Sequence, residues 1–142
     1  MGPVATAIQG KGLRGMMARA RTITSRYGLT AGKMDRILGE FVDALQEFGC
    51  GATFPITTAA LARSRGVVEK FQAHNIEFAV HGYYHVDHSL LSLDEQISHL
   101  GKARQLFQQR GVTCDGFRCP YLRWNEDTIA AVAATGFQYD SS

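Results

Sequence analysis

The feature that most limits how this chain can fold is a steady exchange of short apolar runs and helix-period runs from Lys33 to its last residue. Met34, Ile37, Leu38, Phe41, Val42 and Leu45 recur at three- and four-residue steps, which predicts a helix over Lys33–Phe48 with Gly49 as its cap. Cys50–Ile56 reads as a short strand with Pro55 at its end. A helical stretch follows from Thr58 to His74, with Gly66 as its candidate break, and Ile76–Val80 is the next strand. Ser92 and Glu95 form a capping box, because the hydroxyl and the carboxylate can each accept the other residue's backbone N–H. That box opens a helix to Arg110, which Gly111 closes. Gly116–Cys119 is a third short strand, ended by Pro120. Asn125 caps a helix through Ala134, Gly136 stops it, and Phe137–Tyr139 begins a fourth strand.

Strands joined in this way by helices must run parallel, so the expected class is α/β. About three βα units and a strand stub suit an open sheet, whereas a closed barrel needs more strands. The stop at Tyr139–Ser142 leads to the expectation of a domain over residues 27–142 that is incomplete at its C-terminal end. The last strand would then present an unpaired edge, through which a homo-oligomer could form.

Charge is unevenly placed. Five of the 15 Lys and Arg residues (Lys11, Arg14, Arg19, Arg21, Arg26) lie before Tyr27, leaving 10 basic against 13 acidic residues afterwards. Residues 1–26 therefore read as a basic tail, rich in Gly and without apolar period. A targeting arm, a disordered extension or a start upstream of Met16 or Met17 would each produce it. The mildly acidic body argues against nucleic acid as a partner. Cys50, Cys114 and Cys119 form no CxxC pair and no disulfide framework, which fits a reducing compartment. With no membrane-length apolar run and no signal-peptide core, a cytoplasmic location is the expectation.

In α/β folds, chemistry gathers just past the C-terminal ends of the strands. Two such places are unusual. After Ile76–Val80 comes His81-Gly-Tyr-Tyr-His85-Val-Asp87-His88, with three of the chain's five His. In a helical turn His81 and His85 would face one way and could share a metal. Neutral imidazoles suit Zn²⁺, Co²⁺ or Ni²⁺. After the third strand comes Arg118, which on a buried strand needs a carboxylate partner unless it lies at an edge and snorkels to water. His74 and His99 sit on helical stretches and are expected to be exposed. Cys119 has no visible base to make it a nucleophile.

Together these pieces resemble, in order, the polysaccharide deacetylase family (carbohydrate esterase family four, the NodB-homology domain). Ala52-Thr-Phe54 resembles its second strand, His81-Gly-Tyr-Tyr-His85 its His-x-x-x-His metal motif, and Val86–Glu95 the run leading into its next helix. Gly116-Phe-Arg-Cys-Pro-Tyr121 resembles its Arg-x-Pro-Tyr motif, and Asn125–Gly136 its following helix. The resemblance implies a partial or distorted (β/α) barrel that removes acetyl groups from a carbohydrate substrate, with a divalent metal, foremost zinc, at its mouth. It implies His81 and His85 as metal ligands, Arg118 as the residue that orients a catalytic carboxylate, and Tyr121 as a backbone N–H donor to the oxyanion. Trp124 could stack on a sugar ring or merely pack.

Two departures stand out. The family's Thr-Phe-Asp-Asp motif, which supplies a base and a third ligand, would fall near Ile23–Leu29, where there is no carboxylate. Its Leu-His motif, which supplies the general acid, would lie beyond Ser142. Asp87 or His88 could stand in as ligand or base, or belong simply to the loop. The alternative to a working hydrolase is thus a catalytically impaired relative that binds carbohydrate or a partner.

Overall fold

The structure, a computed structural model, describes residues 32–142. The basic tail of residues 1–26 and the segment Ile23–Leu29 lie outside the described residues. The boundary between two structural units falls between Leu38 and Gly39, so the fold below is that of residues 39–142; of the first unit only the helical residues 32–38 are described.

The elements run α1 (Gly32–Glu47), β1 (Ala52–Ile56), α2 (Thr58–Arg63), α3 (Arg65–Gln72), β2 (Ile76–Val80), α4 (Leu93–Gln109), β3 (Gly116–Phe117), α5 (Glu126–Ala134) and β4 (Tyr139–Asp140). The fold is α/β. All four strands are parallel and neighbour one another in chain order, β1-β2-β3-β4. β1 and β2 pair over five residues, Ala52 against Ile76 through Ile56 against Val80.

Local chemistry explains most boundaries. Pro55 lies inside β1 rather than at its end. The Ala52 N–H bonds the Asn75 carbonyl and the Ile56 carbonyl accepts from His81, so even positions face β2 and the imide nitrogen of Pro55 points away from it. The Ser92–Glu95 capping box forms as expected, and Asn125 and Thr128 make a second one at α5. Gly49, Gly111 and Gly136 follow their helices at positive φ, where a side chain would be strained.

The Thr58–His74 stretch breaks at Ser64, not at Gly66. Ser64 donates its N–H back to Ala60 and Leu61 and offers its carbonyl to Val67 and Val68, ending one helix and starting the next. Serine is a poor interior helix residue because its hydroxyl competes for the backbone. Gly66 sits inside α3, without the positive φ that marks the capping glycines. His74 falls in the turn after α3, its ring bonded to the Lys70 carbonyl.

The core lies between the sheet and its helices. Leu61, Val68, Phe71, Phe78, Val80, Leu100, Phe107, Phe117 and Ala131 are buried there. It carries β2, buried at four of its five positions, into the middle of the domain, and so fixes where the chain emerges at His81.

Candidate metal centre

The residue after each of β2, β3 and β4 extends the sheet by one more hydrogen bond to the preceding strand. His81 donates its N–H to Ile56 (2.9 Å), Arg118 to Val80 (2.9 Å) and Ser141 to Phe117 (3.0 Å). These bonds set His81, Arg118 and Ser141 side by side along the C-terminal edge of the sheet, about one strand spacing (~4.8 Å) apart. The loop after β2 is pinned as well: the first N–H groups of α2, at Thr58 and Ala59, take the carbonyls of Gly82 and Tyr83 at 3.0 and 3.1 Å.

His81 and His85 come together, with ring centroids 4.9 Å apart and the rings edge to face. They do so in an irregular bend rather than the expected helical turn. Gly82, at φ 76°, makes the bend, and a Cβ there would meet the Tyr84 carbonyl at 2.9 Å. His81 Nδ1 lies 2.7 Å from the Arg118 carbonyl. A carbonyl only accepts, so Nδ1 carries the proton and Nε2 keeps a bare lone pair. That is the arrangement in which a backbone carbonyl orients a metal-binding imidazole. Burial holds the His81 pKa below its ordinary value; the Arg118 carbonyl opposes this, and the charges of His85 and Arg118 reinforce it. His81 is thus neutral at pH 7, as a ligand must be. His85 is exposed and packs its ring edge to face against Tyr121, centroids 4.4 Å apart.

These two rings fit a divalent metal as a pair of nitrogen donors. No group of three or more His, Cys, Asp and Glu able to hold a metal forms among the described residues. Residues 1–31 contain none of these four residue types.

Asp87 turns elsewhere. Its Oδ1 accepts from the Ser89 N–H (3.1 Å) and hydroxyl (2.6 Å), capping the short 3₁₀ turn His88–Leu90, while Oδ2 pairs with Arg123 at 2.9 Å. The Ser89 hydroxyl bond, and then Arg123, lower its pKa. Its carboxylate ties the loop after β2 to the loop after β3.

His88 is wholly buried, stacked on Phe117 at 5.6 Å, with neither ring nitrogen partnered. Burial, with His99 and His81 adding to it, pulls its pKa down to about 4. His99 lies on α4 as expected but is only part-exposed, among Tyr83, Tyr84 and His88. It is less exposed than expected because the helix face toward the β2 loop takes Gln96 and His99 together, three residues apart.

Arg118 is half-buried and donates from Nη1 to the Ser141 carbonyl at 2.7 Å. Tyr121 and Leu122 both have positive φ, 59° and 56°, a strained conformation for residues with side chains. Leu122 and Arg123 return their N–H groups to Cys119 and Pro120. Among the described residues the Tyr121 N–H has no acceptor, which leaves it available to a ligand. Cys119 is buried, donates to the Arg123 carbonyl and has its pKa raised to about 11 by burial, so it is no nucleophile at neutral pH. Trp124 and Tyr121 are exposed on this loop. A cleft of about 680 Å³ lined by Thr53, Asn75, Glu77 and Asp115 opens at the other end of the strands, away from His81.

The sequence and the fold are both similar to those of known proteins. The sequence matches the model of the polysaccharide deacetylase family over residues 28–139. It is 35% identical over 91 residues to a peptidoglycan deacetylase-like protein of Gibberella zeae, covering 63% of this chain and 24% of that protein. A family 4 carbohydrate esterase from Streptomyces lividans, in complex with acetate, superposes with a TM-score of 0.65 at 22% identity, covering 71% of this chain and 53% of that one. A family 4 pseudoenzyme from Bacillus anthracis superposes with a TM-score of 0.69 at 17% identity, covering 75% and 38%. This chain therefore spans only part of the relatives it matches.

Proposed function

The chain belongs to the polysaccharide deacetylase family, and on that premise we propose that it binds acetylated carbohydrate at the His81–His85 edge of its sheet and removes acetyl groups with the help of a divalent metal, slowly. The observation that carries this reading is the His81 ring: its Nδ1–H is spent on the Arg118 carbonyl, its Nε2 is bare, and His85 stands 4.9 Å away. A metal held by these two rings, zinc foremost, would polarise the acetyl carbonyl and make water acidic enough to attack at neutral pH. The Arg118 carbonyl keeps His81 in its ligating tautomer. The Tyr121 ring braces His85, and the Tyr121 N–H is the donor offered to the carbonyl oxygen as it gains charge. Asp87 holds Arg123, and with it the loop that carries Tyr121.

Turnover is expected to be weak because, among the described residues, the carboxylate of the His81–His88 loop is already committed to other partners. Asp87 is fully engaged, and residues 1–31 contain no acid. A positioned acid or base typically contributes about 10²–10⁴-fold each. The same observation favours a second reading, a domain that binds carbohydrate without hydrolysing it, and the similarity in fold to a family 4 pseudoenzyme supports a form without turnover. Acetate release from acetylated chito-oligosaccharide, xylan and peptidoglycan fragments, with and without chelator, separates the two. Slow, chelator-sensitive release supports the hydrolase; binding without release supports the second reading; fast release would mean that a base has been overlooked.

A further inference from the structure

We propose that Arg123 is a positioning residue for the metal centre: its guanidinium, anchored by Asp87, holds the Tyr121 ring in place, and Tyr121 in turn sets the angle of the His85 imidazole. The proposal rests on the metal reading above and deepens it. The two imidazoles are fixed by different means. His81 gives its Nδ1–H to the Arg118 carbonyl, the usual way of orienting a metal-binding imidazole. His85 makes no side-chain hydrogen bond among the described residues; its ring meets His81, with centroids 4.9 Å apart, and Tyr121, at 4.4 Å. His85 is exposed, so burial does not hold it either. Its orientation therefore depends on Tyr121.

Tyr121 cannot hold itself. Its side chain is 61% exposed and its backbone sits at φ 59°, a conformation that a residue with a side chain keeps only when its surroundings impose it. Arg123 supplies that constraint. Its N–H bonds the Pro120 carbonyl (3.3 Å), and its own carbonyl accepts from the Cys119 thiol (3.0 Å). Its Nη1 reaches Asp87 at 2.9 Å, and its Cζ lies 5.9 Å from the centre of the Tyr121 ring, within cation–π range. Asp87 is the fixed end, because its other oxygen takes the Ser89 N–H and hydroxyl. Contacts thus run unbroken from Asp87 through Arg123 and Tyr121 to His85. With Arg123 68% exposed, the ion pair adds little to stability. Its consequence lies in the ring that it holds still.

The test has two readouts on the full chain. Without metal, NMR cross-relaxation between the two rings reports the His85–Tyr121 contact. Arg123→Gln should weaken that contact and shift the His85 ring resonances. Arg123→Lys, which keeps the charge, should largely preserve both, and Arg65→Gln, which removes a distant ion pair, should change neither. With zinc, calorimetry should show affinity lower by about three- to tenfold in Arg123→Gln. In a Tyr121→Ala background Arg123→Gln should have no further effect, because the ring through which it acts is gone. Unchanged His85 resonances in Arg123→Gln, or a loss of affinity that is the same with and without the Tyr121 ring, would overturn the proposal. A wild type that binds no zinc would overturn the metal reading above, while the metal-free spectra would still decide whether Arg123 holds the His85 ring.

Discussion

Replacing His88 by Leu should make the domain more stable at neutral pH and nearly remove one source of its acid sensitivity. In the wild type the ring is wholly buried, both nitrogens are unpartnered, and the pKa stands at about 4 against 6.5 for a free histidine. The folded state therefore resists a proton that the unfolded chain accepts. The stability this group contributes is full above about pH 6.5 and declines as the pH falls toward 4. Between pH 7 and pH 5 the two pKa values give a loss of about 2 kcal/mol, roughly a thirtyfold change in the ratio of folded to unfolded protein. Leucine has a similar volume and does not titrate. At pH 7 it relieves two unpaired polar atoms, about 1–3 kcal/mol, and gives up the stack on Phe117, about 0.5–1.5 kcal/mol. A net gain of about 1 kcal/mol is expected. Urea melts followed by circular dichroism at pH 7, 6 and 5 measure both effects, provided each transition is two-state. His99, whose pKa burial also lowers, is present in both proteins; because its charge contributes to the shift at His88, the difference between the curves reports His88 together with that coupling. Parallel pH curves for wild type and His88→Leu, or a less stable variant at pH 7, would refute the reasoning and mean that the ring is partnered in solution.

Gly82→Ala should cost about 1–3 kcal/mol in a denaturant melt and weaken metal binding, because a Cβ at φ 76° meets the Tyr84 carbonyl and unsettles the bend that brings His85 to His81. Ser92→Ala should cost about 1 kcal/mol by removing the hydroxyl that caps α4, with no change in metal content. In a thiol titration at pH 8, Cys50 should react quickly, while Cys114 and Cys119, buried and with pKa values near 11, should react only on unfolding.

Legibility from sequence followed the range of the interactions. The helices, the first two strands and both N-terminal caps were readable because Ser92, Glu95 and Asn125 act on neighbours three residues away. The parallel sheet followed from topology. The break at Ser64 was missed because Gly66, two residues on, carried the stronger local signal while Ser64 makes the hydrogen bonds. His81 and His85 were found by spacing, though the chain brings them together through a glycine bend and not a helix. The engagement of Asp87 with Arg123, 36 residues away, left no trace in the local sequence. Nor did the burial of His88, which depends on Phe117 from another strand. Arg118 was legible as a cation in need of a partner; that its side chain leans on the Ser141 carbonyl was not.

The measurement that bears most directly on the proposed site is zinc titration of the dialysed protein at pH 7.5, read by elemental analysis and by the imidazole resonances in a long-range ¹H–¹⁵N NMR spectrum. About one zinc per chain should bind, His81 should keep its proton on Nδ1 while its Nε2 resonance and that of His85 shift, and His81→Ala/His85→Ala should bind none. Equal zinc in wild type and the double variant, or shifts confined to His88 and His99, would contradict a metal centre at the C-terminal edge of this sheet.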